Sequence, residues 1–189
     1  MAQYEVLFAG FGGQGIMVAG QLLAYTGIKE GKQVCWIPSY GPEMRGGTAY
    51  CTVVVSDARI GSPIIRTPQA ACVFNRPSFD KFTPTIKPGG LLLVNSSLID
   101  ATTTRTDITE LLVPANDMAL AAGSGKSTNI VMLAAFVGMT GIVEYDHLAA
   151  VVREKLGSKK DLLAINMKVL KEGYDLGFAA GKEKKGAGV

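Results

Sequence analysis

Residues 4–38 read YEVLFAGFGGQGIMVAGQLLAYTGIKEGKQVCWIP, and the order of patterns within them decides the fold. "YEVLFAG" is a run of apolar and β-favouring residues ending on glycine, as a buried strand does. In "GQGIMVAGQLLAYTGIKEG", Ile16, Ala19, Leu23 and then Thr26 or Gly27 fall at helical spacing, and Gly31 supplies a stop. "KQVCWIP" reads as a second strand. Strand, helix and strand within about 35 residues make a βαβ unit. Its crossover is right-handed and its two strands run parallel.

Outward from that unit the pattern changes. Only Ser39 to Gly47 separate the second strand from "TAYCTVVVS", whereas a parallel crossover needs roughly a dozen residues or more. The third strand is therefore expected antiparallel to the second. "DARIGSPII" reads as a turn and another short strand. "AACVFN" reads as a buried strand followed by a short helix near "RPSFDKF". "GGLLLVNSS" is a further strand, with its turn set by "KPGG". Residues 100–114 start polar and Thr-rich and end in a short edge strand at "ITELLVP". The remainder is helical. "TNIVMLAAFVGMTG" is apolar nearly all round and so buried. "YDHLAAVVREKL" and "DLLAINMKVLKEGYDLGF" are amphipathic, the second through Leu163, Met167, Leu170 and Tyr174. The expected fold is one α/β domain over residues 1–180, with a Rossmann-like start, a mixed sheet flanked by helices and a helical C-terminal part. Residues 181–189, "GKEKKGAGV", are expected to form a disordered basic tail.

Composition narrows the function classes. The chain has 189 residues, 48% of them hydrophobic, and a net charge of +3 with acids and bases interspersed. That balance does not point to nucleic acid. The start "MAQYEVLFAG" has no basic lead and enters a strand directly, unlike a signal peptide. The longest apolar stretch, Ile130 to Val143, contains Gly138 and Gly141 and falls short of the roughly 20 residues a bilayer needs. No membrane association and a cytoplasmic location are expected. Cys35, Cys51 and Cys72 are scattered in strand-like runs, so they read as small buried hydrophobes. They cannot supply a four-cysteine cluster, and no metal site is expected.

Three stretches could carry chemistry. Gly10, Gly12 and Gly15 have the G-x-G-x-x-G spacing of a phosphate-cradling turn, with Gly13 and Gln14 between them. The N–H groups of a helix start would face a ligand there. A dinucleotide site also wants an acid at the end of the second strand to hold the ribose. That strand ends in Ile37, Pro38, Ser39 and Tyr40, and the next acid is Glu43 in a loop. "AGSGKST", residues 122–128, lacks the first glycine of a nucleotide-triphosphate loop, where Leu120 stands, and follows a helix rather than a strand. Lys126 then reads as a solvated lysine and Asn129 as a cap or core hydrogen-bonder. The third stretch, "SYGPEMRGG", is the most informative. Gly41 and Pro42 fix a bend, Gly46 and Gly47 permit close backbone approach, and Tyr40, Glu43, Met44 and Arg45 are presented between them. Such a loop suits a protein–protein or anionic-ligand surface. It leaves the same strand ends as the glycine turn, so the two should share a rim. His147 reads as a surface residue, Trp36 as core or interface, and Asn166 as structural.

"GFGGQGIMVAGQLLA", "SYGPEMRGGTAYCTVVVSD" and "IGSPII" together resemble the gamma subunit of 2-oxoacid:ferredoxin oxidoreductases. The resemblance runs on through "KPGGLLLVNSS" and the helix bearing Asn129. The loop is most similar to the 2-oxoglutarate type, with the branched-chain 2-oxoisovalerate type next; pyruvate types carry a different loop. The resemblance implies an enzyme complex in which thiamine diphosphate attacks a 2-oxoacid and CO2 leaves. Single electrons then pass through iron–sulfur clusters to ferredoxin, and the acyl group goes to coenzyme A. It also implies that thiamine diphosphate, magnesium and the [4Fe-4S] clusters sit on the alpha and beta partners, with a delta subunit as a further candidate. This chain would then bind no cofactor and hold no catalytic residue, and alone it would be inactive. Gly10, Gly12, Gly13, Gln14, Gly15, Asn129 and the loop Tyr40–Gly47 would form its ligand- or partner-facing rim near the coenzyme A entrance. "AGSGKST" departs from the asparagine-containing stretch of many relatives, so no ligand role carries over to Ser124–Ser127. The alternative is an autonomous dinucleotide- or acyl-CoA-binding protein.

Overall fold

The computed structural model describes residues 3–39, 49–158 and 160–186. The strands are β1 (Gln3–Gly10), β2 (Gln33–Ser39), β3 (Ala49–Ser56), β4 (Ala70–Val73), β5 (Leu91–Asn95) and β6 (Thr109–Val113). The helices are α1 (Ile16–Lys29), α2 (Arg76–Phe82), α3 (Ala115–Ala121), α4 (Thr128–Thr140), α5 (Tyr145–Leu156) and α6 (Lys160–Gly186). The strands form one mixed sheet in the order β2-β3-β1-β4-β5-β6. Only β3 runs against the rest.

The short Ser39–Gly47 connection does give an antiparallel third strand, as its length requires. One consequence differs from the expected βαβ pair. β1 and β2 run the same way, but β3 lies between them, pairing Phe8 with Cys51 on one side and Pro38 with Cys51 on the other. Residues 57–69 form no strand, so the short strand expected in "DARIGSPII" is absent. That segment carries the chain from the end of β3 to the start of β4, and Pro63 and Pro68 lack the N–H a ladder needs. Its end is pinned by Gln69, whose side chain accepts from the Glu5 N–H at 2.7 Å and donates to the Gln3 carbonyl at 3.1 Å.

β1 reads as an unbroken apolar run because both faces of the sheet are covered. Val6 and Phe8 point to one core with α1, α4, α5 and α6, whereas Leu7 and Ala9 point to a second, smaller core with Phe79 and Phe82 of α2. α1 ends as expected: Gly31 takes φ +74°, and the Lys32 N–H reaches back to the Gly27 carbonyl at 3.0 Å. α4 is buried from Thr128 to Gly138, and α6 lies over it. At Gly177 of α6 an added Cβ would collide with the Ala135 carbonyl oxygen of α4, so the two backbones touch. α6 also continues through 181–186, where the sequence suggested a disordered tail; residues 187–189 lie outside the described ones.

Candidate functional site: the rim at the strand ends

β1, β2, β4, β5 and β6 all end on one side of the sheet. In open α/β sheets this rim is where ligands bind, at the point where connections diverge to opposite sides. Here that point lies between β1 and β4. The glycine turn follows β1, and Phe74–Asn75 follows β4.

Two glycines of the turn take a left-handed backbone, Gly15 of the G-x-G-x-x-G spacing and Gly13 between its positions. Gly13 and Gly15 take φ +93° and +74°, a region open mainly to glycine. Gly15 caps α1 with no side-chain capping bond and no acid in the first helical turn. Phe11, Gly12 and Gly13 are exposed, Phe11 at 39%. The inner side of the turn is occupied by the protein itself. Gln14 folds back so that its Oε1 accepts from the Phe11 N–H at 2.6 Å and from Asn75 Nδ2 at 3.1 Å. Its Nε2 donates to the Phe74 carbonyl at 3.4 Å. Gly10 makes room for this carboxamide, because an added Cβ would lie 2.5 Å from Gln14 Oε1 and 3.0 Å from Phe74 Cβ.

Amides continue along the rim. Asn95, at the end of β5, donates to the Phe74 carbonyl at 3.3 Å and to Asn116 Oδ1 at 2.8 Å. Asn75 is 4% exposed and also caps α2 by accepting from the Ser78 N–H at 2.9 Å. Asn75, Asn95 and Asn116 were missed by the sequence reading. The available signal was an asparagine just after or at the end of each apolar strand run, in "CVFNRP" and "LLLVNSS", which reads locally as turn chemistry.

Asn129 reaches the same turn from α4. Its Nδ2 donates to the Gly15 carbonyl at 3.1 Å. A Cβ on Gly15 would lie 2.7 Å from that nitrogen, so Gly15 clears space for Asn129. The hydrogen-bonding reading of Asn129 holds. Beside it, "AGSGKST" forms one 3-10 turn, Gly125–Ser127, after α3 rather than after a strand. Ser127 donates to Asn166 Oδ1 at 2.6 Å, and Asn166 is 3% exposed, in keeping with its structural reading. A cleft of about 320 Å³ opens here, lined by Gly15, Lys126, Asn129, Lys155 and Asn166 among others. Lys155 is already engaged, with Glu154 at 3.0 Å and over the Tyr25 ring at 4.4 Å.

The loop residues Tyr40, Gly41, Pro42, Glu43, Met44, Arg45, Gly46 and Gly47 lie outside the described residues. Their anchors are described. Ser39 pairs with Tyr50, and Ala49 pairs with Gly10, so the chain leaves for and returns from 40–48 at the end of β1 that carries the glycine turn. His147 is exposed, its Nδ1 3.1 Å from Glu30 Oε1. Burial of Glu30 favours its neutral form, but bonds from Lys32, the Glu144 N–H and His147 outweigh this and lower its pKa. Burial pushes the Cys51 thiol up to about 12 and Cys72 well above its ordinary value. Among the described residues no three His, Cys, Asp or Glu gather where they could hold a metal ion, and no helix is long and apolar enough to cross a membrane.

The fold and rim define an α/β chain with a mixed six-stranded sheet and a glycine turn at its strand ends backed by its own amides. A sequence profile described as pyruvate ferredoxin/flavodoxin oxidoreductase matches residues 5–176, and the chain belongs to that family. A ketoisovalerate oxidoreductase subunit, VorA, of Methanothermobacter marburgensis is 37% identical over 175 residues, covering 92% of this chain and 36% of the relative. This chain thus spans about a third of the length of that relative. The keto/oxoacid ferredoxin oxidoreductase gamma subunit of Geobacter sulfurreducens superposes with a TM-score of 0.82 at 30% identity, over 93% of this chain and 99% of that one. The 2-oxoglutarate:ferredoxin oxidoreductase of Magnetococcus marinus, solved with 2-oxoglutarate, coenzyme A and succinyl-CoA bound, superposes with a TM-score of 0.85 at 25% identity, over 95% of this chain and 32% of that one.

Proposed function

We propose that this chain is the gamma subunit of a 2-oxoacid:ferredoxin oxidoreductase and supports the CoA-dependent oxidative decarboxylation of 2-oxoglutarate, with electrons leaving to ferredoxin. The observation that carries the reading is the fold match over 93% of this chain and 99% of the Geobacter gamma subunit. Thiamine diphosphate, magnesium and [4Fe-4S] clusters on alpha, beta and delta partners would supply the carbanion and single-electron chemistry. Residues 1–180 act as one domain. Gly12, Gly13, Gln14, Gly15 and the Tyr40–Gly47 loop face partner chains and help shape the coenzyme A entrance, with the buried Gly10 and Asn129 supporting the turn from behind. The common origin of the glycine turn and the loop at one end of β1 supports that assignment. The uncapped start of α1 borders the cleft beside Gly15 and suits an anionic group. A branched-chain 2-oxoacid is the second reading, favoured by the 37% identity to the ketoisovalerate enzyme subunit.

The test is capture of the native complex through this chain. It is then assayed with 2-oxoglutarate, 2-oxoisovalerate and pyruvate in the presence of coenzyme A and a viologen acceptor. Thiamine- and iron–sulfur-bearing partners should co-purify, with the highest kcat/KM on 2-oxoglutarate. Preference for 2-oxoisovalerate selects the second reading. A chain that purifies alone and captures no such partner overturns both.

A further inference from the structure

The first strand and the last helix meet at the end of the sheet opposite the rim. β1, β4 and β5 start there. A cavity of about 500 Å³ opens among those starts, lined both by Tyr4, near the start of β1, and by Gly181, near the end of α6. α4 and α6 run parallel: an added Cβ at Gly173, Gly177 and Gly181 of α6 would meet the carbonyls of Val131, Ala135 and Met139 of α4 in turn. Both helices therefore aim their C-terminal ends at this face. α4 stops at Thr140 on a left-handed Gly141, with no base in its own last turn, so its final carbonyls present partial negative charge. A smaller hollow of about 120 Å³ adjoins the cavity through Met139, Thr140 and Gly181, and Phe178 stands on its wall 43% exposed.

Longer relatives continue from this same face. The matched region is 36% of the ketoisovalerate VorA subunit and 32% of the Magnetococcus chain. In each, the added polypeptide joins this domain before its first strand, after its last helix, or at both places. All of these lie beside the cavity, because the end of α6 at Gly186 is only about 8 Å of helix rise beyond Gly181. We propose that the cavity seats the partner polypeptide corresponding to the added part of those relatives: an apolar side chain enters over Tyr4, Leu91 and Met139, and a neighbouring basic side chain takes the carbonyls at the end of α4. This surface presupposes the assembly proposed above and adds a second docking face, at the opposite end of the strands from the glycine turn. In a fused relative the tether holds such a segment at about millimolar effective concentration. In a separate subunit the contact stands on burial and charge alone, so its removal shows directly as lost assembly.

The experiment captures the native complex through tagged wild type, Pro88→Trp and Phe178→Lys. Pro88 is exposed on the turn that lines the cavity, so a tryptophan there obstructs the entrance from outside the core. Phe178→Lys removes an exposed apolar wall and repels a basic side chain. Circular dichroism checks each fold, and either variant serves if the other does not fold. Captured thiamine-bearing partner should fall at least about tenfold. A readout on wild type needs no variant: amides of 87–91 and 138–142 should exchange with deuterium more slowly in the complex than in the chain alone. Undiminished capture by a folded variant overturns the proposal, as does unchanged exchange at those amides. Their protection in the chain alone as its concentration rises seats a second copy there and also overturns it. Wild type that captures no partner refutes the assembly itself, and this surface with it.

Discussion

Two glycine-rich turns of this chain look like phosphate loops, and they meet. One, residues 10–15, joins a strand to a long helix; the other, residues 122–128, joins two helices. In the first, positive-φ glycines give the backbone of a cradle, but Gln14 and Asn129 fill it. In the second, the glycines make a short 3-10 turn whose last serine is buried against Asn166. The contact between them runs from Asn129 to the Gly15 carbonyl. Glycine spacing therefore reports where backbone must come close to something. Whether that something is a ligand or the protein's own amide is decided by residues distant in sequence.

The largest expected effect is steric and belongs to the first turn alone. Gly15→Ala must hold φ +74° with a Cβ 2.7 Å from Asn129 Nδ2, whereas Gly125→Ala meets only Leu120 Cδ2 at 3.4 Å without a positive φ. The first should cost on the order of 2–3 kcal/mol and the second less than about 0.5 kcal/mol, read from urea midpoints. Similar losses at both positions would erase the contrast. Next comes Ser127→Ala, which strips Asn166 Oδ1 of its donor in a buried site. It should cost about 1–2 kcal/mol, against near-neutrality for the exposed Lys126→Ala. The smallest effect is chemical. Cys51 lies against the first turn of α1, its Sγ 3.4 Å from the Ile16 carbonyl, and burial raises its thiol pKa to about 12. At pH 8 the buried Cys51 and Cys72 should resist a disulfide reagent while the half-buried Cys35 reacts. Fast labelling of Cys51 in the native chain would show that the turn opens readily.

Much of the fold was legible because local period and connection length carry it. β1, α1, β2, β4, α2, β5, the edge strand β6 and the buried α4 all follow from apolar runs, helical spacing and punctuating Gly or Pro. The insertion of β3 between β1 and β2 was not, since the antiparallel direction follows from a short loop but the neighbour order depends on pairing across the sheet. The apolar "IGSPII" looked like a strand, yet its prolines leave it off the ladder. The tail read as frayed because its lysines suggest solvent, whereas α6 continues to Gly186. At the rim, the special backbone of the turn was readable from its glycines. Its occupancy by Gln14 was not, because the partners, Phe74 and Asn75, lie about sixty residues away along the chain and a glutamine carries no local signal of where its amide points.

The central claim, that the glycine turn and the 40–48 loop face other polypeptides, is tested most directly by hydrogen–deuterium exchange of the chain alone against the chain in its captured complex. Amides of 10–15 and 40–48 should both slow on assembly. Unchanged exchange in both segments, with protection elsewhere on the chain, would contradict it.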